Sequence, residues 1–476
     1  MTTPVPSSGK KGLSYPPLVV EKKRQSNYLP KADILSMIRV NKHFGNIAQP
    51  FLFEEIDVGC PGHAGSPSSL ALVIRTLLDN PHLADSARHL RFDGNRYHGN
   101  SSNATPRTAL CGMDLIKATD MIKDTGVQFA KLWTRSVASG LIDGLIALLI
   151  LLCPNTTSIF LGKNYALNVN YLTMMFDPKL RSQPNVKLPE FKQLQYVTVR
   201  NDLSTRATNT FWDFFLLSQL KMLNISGNFP EISSWIPEER PRVMERLRVL
   251  NLTRFGETQL SSILALTPNI SILGWNHSCR PRQGDDPHTV TIDINVLQDA
   301  LKPFRRKLTQ LDLFADDGTQ IEPINSRRTL IRGGPLSLDQ FSSLRVVIVP
   351  WVFIMGPSSL ASATLWDKIP QTVTSLTLTS DLCYQRYWGW TKTTVKQTLR
   401  EFFRHQSHTK TDLKELYMAG TIFDDMFNSE GLANMKRHTR RFGVELQVIP
   451  YTPMLSRHVG DEMERERRFG QGLLYR

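Results

Sequence analysis

A short apolar phrase, in which two apolar residues three apart are followed by a third two positions on, returns between residues 194 and 418. It reads Leu194, Val197, Val199; Leu220, Leu223, Ile225; Leu247, Leu250, Leu252; and Ile270, Leu273, Trp275. It continues as Leu308, Leu311, Leu313; Leu344, Val347, Val349; Val373, Leu376, Leu378; and Leu413, Leu416, Met418. The last two positions of each phrase have the period of a strand with one face on a core. With 41% apolar residues, chance alone produces such a triplet roughly thirty times in a chain this long, so the phrase counts only in context. Leu152-Cys-Pro-Asn leads to Ile159-Phe-Leu161, and Leu266-Thr-Pro-Asn leads at the same spacing to Leu273-Gly-Trp275. Proline ends the preceding helix and asparagine favours the turn, so helix, stop and strand are written locally. Central anchors at 197, 223, 250, 273, 311, 347, 376 and 416 lie 23 to 40 residues apart. That is room for a strand and its return, and it predicts a solenoid whose units bury their apolar faces against their neighbours.

At 476 residues the chain exceeds what one ordinary core encloses, which fits either several domains or an elongated array. Its five cysteines, Cys60, Cys111, Cys153, Cys279 and Cys383, are scattered and never at metal-ligand spacing. Neither a disulfide framework nor a zinc ribbon is expected. Met1 to Gly9 lacks the apolar segment of a secretory signal, and the longest apolar run, Leu141–Cys153, is too short to span a bilayer. A protein of the cytoplasm or nucleus with no membrane partner is expected. Asn-x-Ser/Thr triplets such as those at Asn103, Asn155, Asn224, Asn251 and Asn269 are then unglycosylated.

Several stretches differ in texture. Residues 1–28 read as a flexible tail. Residues 29–58 form a small helical unit, with Ile34, Leu35 and Ile38 and then Phe44, Ile47 and Phe51 at helical spacing. Asp33 is the expected N-cap of its first helix, and Pro50 is expected to stop or kink the second. Residues 59–69 make a Gly/Pro/Ser linker and 70–448 the repeating region, which opens with helices over Ser69–Leu78, Met113–Lys123 and Val127–Cys153. Residues 449–476 form a charged tail. A thirty-residue helical unit has more apolar surface than it can hide alone.

The stretch Tyr28-Leu-Pro-Lys-Ala-Asp-Ile-Leu-Ser-Met-Ile-Arg-Val-Asn-Lys-His-Phe, continuing to Ala48-Gln-Pro-Phe-Leu-Phe-Glu-Glu-Ile56, resembles the second half of an F-box as found in filamentous fungi. Leu77-Leu-Asp-Asn-Pro-His-Leu-Ala-Asp-Ser-Ala-Arg-His-Leu90 resembles the segment leading such proteins into leucine-rich repeats. Tyr15-Pro16-Pro17-Leu18 stands where the first F-box helix opens, but Glu21-Lys22-Lys23-Arg24-Gln25 occupies positions that are apolar in that family. The resemblance implies an α/β chain with a short F-box-like unit ahead of an irregular leucine-rich-repeat-like solenoid. It also implies that the chain is the substrate-recognition subunit of a cullin–RING (SCF-type) ubiquitin ligase. The partners would be a Skp-type adaptor, the cullin scaffold and a protein target. Leu29, Pro30, Ile34, Leu35, Ile38, Val40 and Phe44 would meet the adaptor. Alternatively, the apolar side chains cap the first repeat and the chain is a scaffold without a ligase. In the repeats, the polar position three past the strand is held by Asn164 and Asn228, with Asp202, Ser278, Asp316, Asp381 and Thr421 as substitutes, while Phe255 and Val352 break the series.

No enzyme is expected. Gly-x-Ser-x-Gly is absent, and Gly162-Lys163 is followed by Asn164 where a phosphate loop needs a hydroxyl. His405, His408 and Asp412 have helical spacing but no fourth ligand, so a metal site is not expected. Neither is any cofactor. The acidic pairs Asp285-Asp286, Asp316-Asp317 and Asp424-Asp425 read as solvated loop acids. Phe211 to Phe215 reads as packing. Arg386, Tyr387, Trp388 and Trp390, just past a strand phrase, combine aromatic and guanidinium groups as interface anchors do and are the target-binding candidates. The net charge of +14 favours polyanions. It is divided among Lys22-Lys23-Arg24, Arg305-Arg306-Lys307, Lys436-Arg437 with Arg440-Arg441, and Arg467-Arg468. A sequence does not show whether these clusters converge, and nucleic acid ranks last among the partners.

Overall fold

In a computed structural model of the chain, the residues described are 31–59, 69–93, 110–162, 165–166, 170–200, 214–227, 243–278, 289–316, 328–358, 364–383, 389–406, 411–419, 423 and 429–449. Their strands are β1 (Glu55–Gly59), β2 (His89–Asp93), β3 (Ser158–Leu161), β4 (Tyr196–Arg200), β5 (Met222–Ser226), β6 (Val249–Thr253) and β7 (Ile272–Ser278). There follow β8 (Thr289–Asp293), β9 (Gln310–Asp316), β10 (Arg328–Arg332), β11 (Val346–Pro350), β12 (Ser375–Thr379), β13 (Glu415–Ala419) and β14 (Glu445–Ile449).

Twelve of these strands form one sheet in the order β1-β2-β3-β4-β5-β6-β7-β9-β11-β12-β13-β14. Every pair is parallel. The fold is mixed α/β around a large parallel sheet in which strands stand beside their chain neighbours. Only β8 and β10 leave the series, pairing with each other in a small parallel sheet that the sequence pattern did not foretell.

Register explains the phrase. Ile56, Leu90, Ile159, Val197, Leu223, Leu250, Leu273, Leu311, Val347, Leu376, Leu416 and Leu446 are partners in one row across the sheet. All are buried and belong to one core cluster. A second row, from Val58 and Phe92 through Trp275 to Met418 and Val448, packs on the same core. The first residue of each phrase is also buried, just ahead of its strand: Leu194, Leu220, Leu247, Ile270, Leu308, Leu344, Val373 and Leu413. Fully burying such a side chain contributes about 1.5–3 kcal/mol, so the rows supply much of the stabilisation of the sheet.

Local chemistry sets the returns. Helix Ile142–Leu152 is apolar on every side and buried, as the run Leu141–Cys153 predicts. The single helix expected over Val127–Cys153 is instead broken into Ala130–Ala138 and Ile142–Leu152. Gly140 is the cause: it adopts φ 68°, a left-handed conformation that ends the first helix. The two Pro-Asn corners work as joints. Asn155 Nδ2 donates to the Asp85 carbonyl at 3.2 Å and Asn269 Nδ2 to the Glu245 carbonyl at 3.1 Å, each tying its turn to the preceding coil. Hydroxyls just before the strands repeat this role. Thr157 donates to Arg88 O, Ser271 to Arg248 O, Thr309 to Ser271 O and Thr374 to Arg345 O, at 2.9–3.2 Å.

Of the expected polar series past the strands, Asp381 Oδ2 accepts the Ala315 N–H at 3.1 Å. This bond passes over β11 to β9 instead of joining adjacent strands, while Ser278 and Asp316 are the last residues of β7 and β9. Phe255 and Val352 are buried apolar residues, and Asn164, Asp202, Asn228 and Thr421 lie outside the described residues. Phe214 and Phe215 are buried, while Phe211 also lies outside them.

Candidate functional site

The N-terminal helices Lys31–Val40 and Lys42–Glu54 are joined by Asn41. Asn41 is in extended conformation, and its Oδ1 accepts the Phe44 N–H at 2.9 Å, capping the second helix and fixing the corner. Asp33, expected as the first N-cap, instead occupies the first turn of its helix. Pro50 lies inside the second helix, which runs on to Glu54. Proline removes one N–H, and the carbonyl that loses it belongs to exposed Asn46, where water can serve instead. The helix then passes directly into β1, so the two-helix unit is attached to one edge of the sheet.

The unit divides its apolar residues between two faces. Ile34 and Ala48 are buried, and Phe53 packs against the main core. Leu35 (45%), Val40 (67%), Phe44 (41%), Ile47 (50%) and Phe51 (52%) are exposed. Of the adaptor candidates, Leu35, Val40 and Phe44 are therefore open to solvent and Ile38 is half-buried. Ile34 leaves the candidate set because the unit uses it for internal packing. Leu29 and Pro30 lie outside the described residues. Ile47 and Phe51 join the exposed face. Their spacing from Phe44, three and seven residues on, carried that signal in the sequence.

The other face of the sheet, opposite the core rows, has its own row: Asp57, Arg91, Phe160, Thr198, Asn224, Asn251, Gly274, Asp312, Ile348, Thr377, Tyr417 and Gln447. The Arg91 guanidinium lies 4.5 Å from the centre of the Phe160 ring. Asn224 Nδ2 donates to Thr198 Oγ1 at 3.2 Å, and Asn251 Nδ2 to Asn224 Oδ1 at 2.6 Å. Gly274 comes next because a Cβ there would stand 2.2 Å from Asn251 Oδ1. Beyond it Asp312 is buried, with Oδ2 accepting from Gln310 Nε2 at 2.8 Å and no hydrogen-bond partner for Oδ1 among the described residues. Burial pushes its carboxyl up to about 7, partly offset by the Gln310 amide. Sequence reading missed this row because its members alternate with the apolar phrase and share no residue type.

Of the target-binding candidates, Trp390 is the one that falls among the described residues. Trp390 is buried, donates its indole N–H to Gly356 O at 3.0 Å and meets Trp351 edge-on at 5.1 Å. It is a packing residue, because an indole that deep presents no surface to a target. Arg386, Tyr387 and Trp388 lie outside the described residues. His405 stacks on Trp366 at 5.0 Å while Asp412 pairs with Arg345 at 2.8 Å, so the two do not face a common ion; His408 lies outside the described residues. Among the described residues no group of three His, Cys, Asp or Glu side chains is placed to hold a metal, and no helix is long and apolar enough to cross a membrane. Buried thiols are held protonated: burial pushes Cys153 up to about 12, and burial with the Asp381 charge raises Cys383 well above the usual range. In comparison with known proteins, no family model matches the chain. No curated protein matches its sequence.

Proposed function

We propose that the chain is a substrate-recognition subunit of a cullin–RING ubiquitin ligase. In this reading the N-terminal helices dock a Skp-type adaptor, and the repeating α/β region, an irregular leucine-rich-repeat-like solenoid, holds a protein target. The observation that carries the reading is the apolar face formed by Leu35, Val40, Phe44, Ile47 and Phe51, left open on a helical unit at one edge of the sheet. Covering large apolar side chains yields about 1.5–3 kcal/mol for each one fully buried, which favours a partner there. The mechanism is positional: a bound target is held at high effective concentration beside the ubiquitin-loaded enzyme, and this chain makes or breaks no bond. The members of that row that reach solvent, among them Asp57, Arg91, Asn224, Asn251, Tyr417 and Gln447, are the surface offered for the target.

A scaffold without a ligase is the second reading, favoured by Phe53, which packs the end of the second helix against the main core as an end cap would. Co-expression of the full chain with a Skp-type adaptor separates the two. Wild type should co-purify with the adaptor, and Phe44→Asp with Phe51→Asp should abolish this while circular dichroism and thermal unfolding stay unchanged. Wild type that leaves the adaptor unbound supports the scaffold.

A further inference from the structure

Helix Lys392–Gln406 carries Lys392, Lys396, Arg400 and Arg404 four residues apart, so the cations follow one another along one side. At 1.5 Å per residue they are separated by about 6 Å and cover about 18 Å. Helix stability does not account for the stripe. Lys392 stands at the N-terminus, where a cation opposes the helix dipole, and the first turn has no acid. The charges also oppose one another: burial together with the neighbouring Lys392 and Arg400 lowers the pKa of Lys396.

The following helix, Ser429–Arg440, brings a second basic group to the same place. The His438 ring lies 6.4 Å from Phe403 and 5.2 Å from Phe442, and Phe403 stacks on Phe442 at 6.0 Å. Across this seam burial, then Arg400, Arg441 and Arg404, disfavour a charge on His438. Arg437 donates to Asn434 Oδ1 at 2.7 Å, and Glu401 is occupied by Gln397. Among the described residues no carboxylate pairs with Lys392, Arg400, Arg437, Arg440 or Arg441. Where the stripe ends, Trp366 and His405 stack at 5.0 Å with 24° between their planes, forming one wall of a cleft completed by Phe402 and Leu413.

We propose that these two helices and the Trp366–His405 cleft form a binding surface for single-stranded nucleic acid. Phosphates run along the Lys392–Arg404 stripe, with Arg441 across the seam, and a base stacks on the exposed His405 ring at the mouth of the cleft. Evenly repeated cations beside an aromatic wall match a phosphate backbone that carries flat rings. An acidic peptide would use the cations and leave the rings idle, and a duplex would keep its bases from them. The proposal is independent of adaptor docking, which rests on the opposite end of the chain.

Fluorescence anisotropy of the full chain with labelled oligo(U), oligo(dT) and a duplex of equal length tests it, from about 50 to about 300 mM salt. Both single strands should bind more tightly than the duplex. A preference between RNA and DNA would assign ribose contacts to the same surface. The double substitution Arg400→Ala with Arg441→Ala should weaken binding at least tenfold and make the log–log salt slope shallower by about 1.4, two phosphates at about 0.7 each for single strands. Lys392→Glu should weaken binding independently, and His405→Ala should weaken it with the slope unchanged. Lys187→Ala with Arg306→Ala, exposed cations elsewhere, should change nothing. The proposal is overturned by absent binding at low salt, by affinity that ignores Arg400 and Arg441, or by a poly-glutamate peptide that binds as tightly as the strands.

Discussion

Asp312 and Asp143 are carboxyls placed where water does not reach. Asp143 lies in the first turn of helix Ile142–Leu152. Burial pushes its pKa up to about 7, against the opposing pull of the Tyr171 and Asn170 backbone N–H groups. Asp312 stands at a similar value for the same leading reason. Both carboxyls keep a proton in the folded chain at a pH where the unfolded chain has released it, so the native state binds more protons between about pH 4 and pH 7. Stability therefore declines as pH rises through that window. Asp312→Asn preserves shape and removes the ionisation. In urea titrations it should gain on the order of 3 kcal/mol over wild type at about pH 8 and gain nothing near pH 4. A wild-type midpoint level across that range, and unmoved by the substitution, would contradict the assignment. Neither acid could be singled out from sequence, because its neighbours in space come from other strands or from the start of another helix.

At the scale of elements, what was legible was what short segments decide for themselves. The Pro-Asn corners announced helix ends and strand starts, and the chain turns there. The sequence did not reveal what the asparagines bond to, since Asp85 and Glu245 lie 70 and 24 residues away. Asn269→Ala should lower stability by about 1 kcal/mol, the usual worth of one such hydrogen bond. It should also raise amide exchange at Ser271 and Ile272, which donate to Arg248 O; exchange left unaltered there would mean that the side chain does not hold the joint. The continuous helix expected over Val127–Cys153 failed at one glycine because apolar content does not report a positive φ. The exposed apolar face was readable as helical spacing, but its division was not: Ile34 and Leu35 are adjacent in sequence, and only the packing of one helix on the other decides that Ile34 is hidden. The basic stripe of Lys392–Gln406 escaped notice because its members, four residues apart, form no run of charge. It meets the Lys436–Arg441 group only through the packing of Phe403, His438 and Phe442, which join two separate helices.

Across the whole molecule, every strand of the large sheet hydrogen-bonds only to the strands beside it in the series, while one apolar row runs from Ile56 to Leu446. Cooperativity must therefore pass through that row and the helices covering it. A loss at the centre and a loss at the end should differ in reach as well as size. Leu250 has row partners on both sides, Leu223 and Leu273, whereas Leu446 has Leu416 alone. Leu250→Ala opens a cavity enclosed by packed neighbours and should cost about 3–5 kcal/mol, lowering protection throughout the sheet. Leu446→Ala should cost about 2 kcal/mol, because a terminal unit can relax around the gap. Its faster exchange should be confined to β13 and β14, with β4 to β7 unchanged. Native-state hydrogen exchange on both variants reads this directly. Equal losses spread over all strands by both substitutions would mean that the sheet opens as a single block, and that the row transmits stability from edge to edge.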